Sequence, residues 1–257
     1  MEIIVCAKQV PDTTEVELKI SEDKKSIRLE NLPLDINEWD NYALEEALLI
    51  KEKFSGYVRV ITVGSAHADP MLRMCLAKGA DEVVRIDTAQ LDGYLTSLLL
   101  AKAIKTQNYK FDLILTGVQS SDYAWAQVGA MLAEFLEVPH ATIVTKIEIE
   151  GSKVKVEREL EGGAKELLSI NLPAVLTIQS GINEPRYASM IGIKRASAKE
   201  IKILKIDELV KEALEARVAI ESLFVPPKLK KAEILAGSLD EVSAKLSTII
   251  KEKGILT

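Results

Sequence analysis

Four short apolar runs, each of strand length and each followed by residues at helical spacing, constrain this chain more than any other feature. They are Glu2–Ala7 (E-I-I-V-C-A), Val58–Gly64 (V-R-V-I-T-V-G), Val83–Ile86 (V-V-R-I) and Phe111–Thr116 (F-D-L-I-L-T). Runs this continuous suit strands buried on both faces rather than strands with one wet side. Between them, Asn37 precedes a segment whose Ala43, Ala47, Ile50 and Phe54 share a face until Ser55-Gly56. Asp69-Pro70 opens a second helix with Met71, Leu72, Met74, Cys75 and Leu76, and Leu91–Ile104 forms a third. Strands alternating with helices need crossovers, and right-handed crossovers build a parallel sheet covered on both faces. The predicted class is therefore α/β, with a Rossmann-like parallel sheet. Ligands of such sheets bind outside the carboxyl ends of the strands. Cys6, Asn37, Ser65 and Gly117 all fall just past such ends.

The stretch Asp112–Gly129 carries the strongest local signal. Its strand stops at Gly117, and Ser120-Ser121-Asp122 supplies three residue types that cap helices. Trp125, Val128, Met131, Leu132, Phe135 and Leu136 then recur at helical spacing until Pro139. A helix N-terminus after a small-polar loop offers unpaired N–H groups and a favourable dipole to an anion. An ordinary βα turn carries the same signals, and neither G-x-G-x-x-G nor a Walker lysine is present. Trp39 stands in the first turn after its cap, where it is either a ligand or interface contact or a staple to the core.

After His140 the pattern changes. Strands at 141–149, 154–160 and 166–170 alternate and predict an antiparallel meander over 141–170. An alternating pair within 14–30 predicts a surface hairpin, and Pro173–Ile178 returns to a buried strand. The irregular tract from Ser180 is too long to be a mere connection. Ile201–Arg217 gives mixed signals, and Phe224-Val225-Pro226-Pro227-Lys228 is an extended breaker. The tail from Ser238 to Lys251 reads as one amphipathic helix. The expected organisation is an α/β domain over 1–225 and a C-terminal arm and helix over 226–257.

A net charge of −6 argues against nucleic acid as a partner. No apolar stretch reaches membrane-spanning length, and the first strand begins beside Met1, so a cytoplasmic chain without a leader is expected. Cys6 and Cys75 lack metal-type spacing and read as reduced, buried residues. His67 reads as a solvated loop residue. No nucleophile–base arrangement or metal cluster is legible, and Glu157, Glu159 and Glu161 alternate like solvated carboxylates. A nucleotide site without an acid, base or nucleophile suggests a carrier rather than a stand-alone enzyme.

Several motifs, in order, add a resemblance. They are V-C-A-K-Q-V-P-D at 5–12, D-I-N-E-W-D-N-Y-A-L-E-E-A at 35–47, L-A-K-G-A-D at 76–81 and L-T-G-V-Q-S-S-D at 115–122. A-Q-V-G at 126–129, K-V-E-R-E-L-E-G-G at 155–163, L-P-A-V-L-T-I at 172–178 and N-E-P-R-Y-A at 183–188 follow. Over nearly its whole length the chain resembles the small (beta) subunits of electron transfer flavoproteins. The resemblance implies an adenine nucleotide alpha-hydrolase-like fold and a larger alpha subunit that holds a redox FAD. Donors in the family are a dehydrogenase or NADH; acceptors are a membrane quinone oxidoreductase or a ferredoxin- or flavodoxin-linked protein.

The resemblance implies cofactor contacts at Cys6, Asn37, Glu38, Trp39, Asp40 and Ser65. It implies further contacts along Gly117, Gln119, Ser120, Ser121, Asp122, Tyr123, Ala124, Trp125, Ala126, Gln127 and Val128. It also implies partner contacts at Glu159, which matches a carboxylate that docks the mobile flavin domain, and in a recognition loop at 183–195. That loop holds Asn183, Glu184, Pro185, Arg186 and Tyr187, with Met190 at the apolar anchor. Ordinary members hold AMP in this subunit, often with a hydroxyl residue in the slot of Val128. Electron-bifurcating members hold a second FAD, accept NADH and often read A-Q-V-G. Ser120-Ser121-Asp122 also occurs in AMP-holding members, and Tyr123 and Trp125 replace the Gly and Thr usual in the bifurcating pattern. FAD is the favoured expectation. The rival classes are an ATP-using adenylating enzyme, for which Ala7–Asp12 lacks the Gly-rich loop, and a stress-type nucleotide-binding module.

Overall fold

The apolar runs form the middle of one nine-stranded sheet. The computed structural model describes all residues except 15, 17, 30, 31, 90, 212, 213, 228–231, 233 and 255–257. In chain order the first half contains β1 (Glu2–Cys6), β2 (Gln9–Pro11), β3 (Leu34–Ile36), α1 (Glu38–Phe54), β4 (Tyr57–Gly64) and α2 (Asp69–Lys78). It continues with β5 (Glu82–Asp87), α3 (Gly93–Thr106), β6 (Leu113–Gly117) and α4 (Val128–Leu136). The second half contains β7 (His140–Glu150), β8 (Lys153–Glu159), β9 (Lys165–Asn171), β10 (Ala174–Ile178), α5 (Met190–Ser197), β11 (Lys202–Lys205), α6 (Ile206–Leu209) and α7 (Leu239–Glu252).

The sheet order is β11-β5-β4-β1-β6-β10-β7-β8-β9. From β11 through β7 every pairing is parallel, whereas β7–β8 and β8–β9 are antiparallel. Side chains of a strand alternate between faces, so each central strand feeds two cores. Ile3, Val5, Val58, Val60, Leu113 and Leu115 pack with α1 and α2. Ile4, Cys6, Ile61, Val84 and Ile114 pack with α3 and α4 on the opposite face. The chain leaves β1 for β4 and β5 on one side, and α3 then carries it back to β6 on the other. The order therefore reverses between β1 and β6, which opens a crevice at their carboxyl ends. β7 overshoots that end: Val144 is level with Ile178, and the strand runs on to Glu150 before β8 returns.

Several expectations need correction. No helix starts at Ser120-Ser121-Asp122: α4 begins at Val128, and Trp125 lies in the preceding loop. Ala124 and Ala126 have φ of 50° and 52°, left-handed values that interrupt any helix. The irregular tract is part helix, because Ser189 caps α5 by accepting from Gly192 N at 3.0 Å. A Cβ at Gly192 would run into Ala77 O, so glycine lets α5 lie directly on α2. Of the expected hairpin, one antiparallel bridge, Ile20–Ile27, is present among the described residues. Glu15, Glu17 and Glu30 of that expectation, and Lys228 of the extended breaker, lie outside the described residues.

The chain divides into two units, Met1–Glu221 and Ser222–Thr257. The second contains α7, whose start is fixed by a reciprocal cap in which Ser238 N donates to Glu241 Oε2 at 2.8 Å. Among the described residues no helix is long and apolar enough to cross a membrane.

Candidate functional site

The first turn of α1 closes the end of the β1–β6 crevice. Asn37 stands at the N-cap, yet its side chain caps nothing. Instead its Nδ2 donates to Gln119 O at 2.8 Å and its Oδ1 accepts from Ser121 N at 3.0 Å. It thereby holds the loop after β6, and only 1% of it is exposed. Asp40 is turned inward too. Its Oδ2 accepts from Lys8 N and its Oδ1 from Gly117 N, both at 2.8 Å. One carboxyl group thus joins the end of β1, the start of α1 and the end of β6. Burial pushes it up to about 7, against the opposing pull of the two N–H donors, Asn37 and the Lys8 charge.

Gly117 is what permits this approach. A Cβ there would stand 2.5 Å from Asp40 Oδ1 and 2.6 Å from Trp39 Cβ. Gly117→Ala is therefore expected to destabilise the chain by about 2–3 kcal/mol through overpacking. Gly64→Ala, where the nearest atom would lie at 3.8 Å, is the control and should fall within about 0.5 kcal/mol of the parent. Urea-unfolding midpoints decide it: equal midpoints for the two variants would remove the steric account.

The loop leading to α4 turns outward from these anchors. Ala124 N donates to Ser120 O at 2.8 Å. Lys8 Nζ reaches Asp122 Oδ2 at 2.5 Å and lies 4.6 Å from the centre of the Tyr123 ring. Tyr123 and Trp125 stack 4.6 Å apart at 21°. Trp125 and Gln127 border Gly93 at the start of α3. The first bond of α4 runs from Met131 N to Gln127 O at 3.0 Å, leaving Val128, Gly129 and Ala130 N–H without an acceptor inside the helix. That donor set fits a nucleotide phosphate. The helix N-terminus expected at Ser120 therefore lies instead at Val128. Cys6 is buried at the end of β1, where burial, with Asp40 second, pushes its thiol well above the usual range. Ser65 and Glu38 are exposed.

Trp39 and Glu159, remote in sequence, are joined through Gln179. Trp39 Nε1–H donates to Gln179 Oε1 at 3.1 Å, and Gln179 Nε2 donates to Glu159 Oε2 at 3.3 Å. The overshoot of β7 makes this possible, since it brings the end of β8 level with the end of β10.

The expected partner segment splits into anchors and a tip. Asn183 Nδ2 donates to Tyr42 O at 3.1 Å and to Glu46 Oε2 at 3.0 Å. Arg186 forks onto Glu45 and reaches Glu52 Oε1 at 2.5 Å. Those two residues fasten the segment to α1 and face inward, with Pro185 half-buried between them. Glu184 is exposed, Tyr187 is 97% exposed and Met190 82% exposed, with Ile191 beside it. A single apolar tip on a braced base suits a transient protein contact.

Sequence reasoning missed Lys8, Glu45 and Gln179. Lys8 and Glu45 sit inside quoted motifs, V-C-A-K-Q-V-P-D and D-I-N-E-W-D-N-Y-A-L-E-E-A, so the motifs could have named them. Gln179 carries no local signal. Asp92 was missed as well: it caps α3 through Leu95 N at 2.8 Å and accepts from Arg217 N and Val218 N. Among the described residues no group of acidic, His or Cys side chains could hold a metal ion.

Comparison with known proteins identifies the family. A family profile described as the electron transfer flavoprotein domain matches residues 27–209. The chain is 38% identical to an electron transfer flavoprotein subunit beta of Methylophilus methylotrophus, over 98% of each chain. It is 39% identical to the caffeyl-CoA reductase-Etf complex subunit CarD of Acetobacterium woodii, over the full length of both. It is 32% identical to the subunit beta of Sus scrofa, over 96% of each.

Proposed function

The chain belongs to the electron transfer flavoprotein family as a beta subunit that works with an alpha subunit, and on that premise we propose that it holds an adenine nucleotide in the β1–β6 crevice. The observation that carries this reading is the convergence of Asn37, Asp40 and Gly117 at the switch point, beside N–H groups at the start of α4 that have no acceptor inside the helix. The contact set is Cys6, Asn37–Asp40, Ser65 and Gly117–Val128. FAD is the favoured nucleotide, supported by A-Q-V-G at 126–129 and by Val128, which offers no hydroxyl to a terminal phosphate. A bound flavin supplies the redox chemistry; the chain's own residues bind it, orient it and shield it.

In this reading electrons pass from a dehydrogenase or NADH to a quinone- or ferredoxin/flavodoxin-linked acceptor. Tyr187 and Met190 meet the protein partner, Glu159 docks the flavin domain of the alpha subunit, and the arm from 226 onwards docks on that subunit. A cytoplasmic location goes with it. The second reading is a structural AMP with no bifurcation. It is favoured by the bulk of the stacked Tyr123 and Trp125 on the loop where a dinucleotide needs room.

The test is to purify the chain with its alpha subunit, denature the complex and quantify released nucleotides by chromatography. Two FAD and no AMP per heterodimer support the bifurcating reading and make NADH the donor to assay. One FAD and one AMP select the second reading. A folded complex that releases neither nucleotide overturns both.

A further inference from the structure

The 122–127 segment spans part of the crevice wall between two fixed ends. Its upstream end is secured from α1, by Asp40 at Gly117 and Asn37 at Gln119 and Ser121. Its downstream end is secured by α4, where a Cβ at Gly129 would collide with Thr177 and Thr116 and the helix therefore sits directly on the sheet. Between those ends Ala124 and Ala126 both take left-handed backbone conformations, which a residue with a Cβ adopts only when its surroundings hold it there. One cation stands at the centre of the ties that do so. Lys8 is itself fixed through its backbone N–H on Asp40, and from there its Nζ reaches Asp122 and covers the Tyr123 ring. Tyr123 in turn stacks on Trp125, which lies against Gly93.

We propose that Lys8 and Asp122 form a latch that closes the 122–127 strap across the β1–β6 crevice, and that its opening limits how fast a bound nucleotide leaves. Lys8 lies two residues beyond the end of β1 and Asp122 five beyond the end of β6, so the pair bridges the two strands that flank the crevice. Nothing else in the strap crosses that gap by an ion pair among the described residues. The pair is partly exposed, so dissolved salt competes with it. A latch needs both members, so losing either one speeds release, whereas a Lys8 that touched the phosphate directly would leave Asp122→Asn no faster than the parent. Lys8 is thus a positioning residue. The proposal rests on the nucleotide reading above, and the experiment separates the two.

The heterodimer is stripped of nucleotide and reloaded with ethenoadenosine monophosphate or FAD, and release is followed by fluorescence after a chase of unlabelled AMP or FAD. Lys8→Met and Asp122→Asn should each release the probe about five-fold faster, with the association rate little changed. The double variant should be no faster than the faster single one, since the Lys8–Asp122 tie is already lost in each. Lys8→Arg should keep the slow rate. Raising KCl should speed release from the parent and leave Lys8→Met unaffected, a response that a general loss of stability does not give. Release from Lys8→Met at the parent rate overturns the latch, and so does a fast Lys8→Met beside an Asp122→Asn that keeps the parent rate, because Lys8 would then be a ligand. Melting of the stripped variants controls for folding, and the Lys8→Arg result stands if Lys8→Met fails to fold. A parent heterodimer that binds neither probe sinks the nucleotide reading itself.

Discussion

Replacing Arg186 with alanine should lower the unfolding free energy by about 2–4 kcal/mol, far more than an exposed ion pair is worth. The reason lies with Glu45 rather than with the arginine. Glu45 is 6% exposed and accepts from Arg186 Nε, Nη2 and the backbone N–H at 2.9–3.0 Å. Truncating the arginine leaves that carboxylate buried with one backbone donor, and an uncompensated buried charge is what makes such deletions costly. Arg186→Lys should fall between, because an ammonium cannot reproduce the two-toothed geometry. Glu45→Gln combined with Arg186→Ala should recover a good part of the loss. Urea midpoints give the energies, and hydrogen exchange should rise chiefly over 183–197. A midpoint shift below about 0.5 kcal/mol would mean that water reaches Glu45 freely, and the bracing account would then fail.

Asp40→Ala should be of similar size, about 2–4 kcal/mol, because it orphans two part-buried donors at once, Lys8 N and Gly117 N. Asp40→Asn should cost less but not nothing, since an amide offers one acceptor oxygen and turns its NH2 towards the other N–H group. The carboxyl also gives stability a pH dependence. Burial raises its folded pKa to about 7 from an ordinary 3.8. Between those values the folded chain keeps a proton that the unfolded chain has released. Stability should therefore fall as pH rises from about 4 to about 7, and this slope should vanish in Asp40→Asn. A parent protein whose Asp40-dependent stability rises over that window would show that the two N–H donors outweigh burial and that the group is a carboxylate throughout.

The parallel strands were legible because burial on both faces leaves a continuous apolar run, and the helices between them fixed the direction of each crossover. Asn37 was legible as a cap position, but what its side chain does was not. A cap is local, whereas the bond from Asn37 to Gln119 spans 82 residues. The onset of α4 was misplaced for the same reason. Serine and aspartate serve caps and loops alike, and the bond from Lys8 to Asp122 spans 114 residues, beyond the reach of any local pattern. α5 was hidden because it is short and holds Gly192, a poor helix residue unless another backbone must come close, as Ala77 does. Glu159 looked like one of three alternating carboxylates, and its link to Trp39 needs Gln179 from just past the end of β10.

α1 carries Asn37, Trp39 and Asp40 at its start and holds Asn183 and Arg186 one to four turns further on, through Tyr42, Glu45, Glu46 and Glu52. One stiff rod therefore sets both the spacing and the phase of the crevice and the exposed tip, at about 1.5 Å and 100° per residue. A single residue inserted between Asp40 and Glu45 would swing the tip by roughly a quarter of a turn relative to the crevice. Length changes in this lineage should therefore gather in the 12–33 segment or the tail and spare α1, whose residue count works as a gauge for how far the exposed tip lies from the crevice.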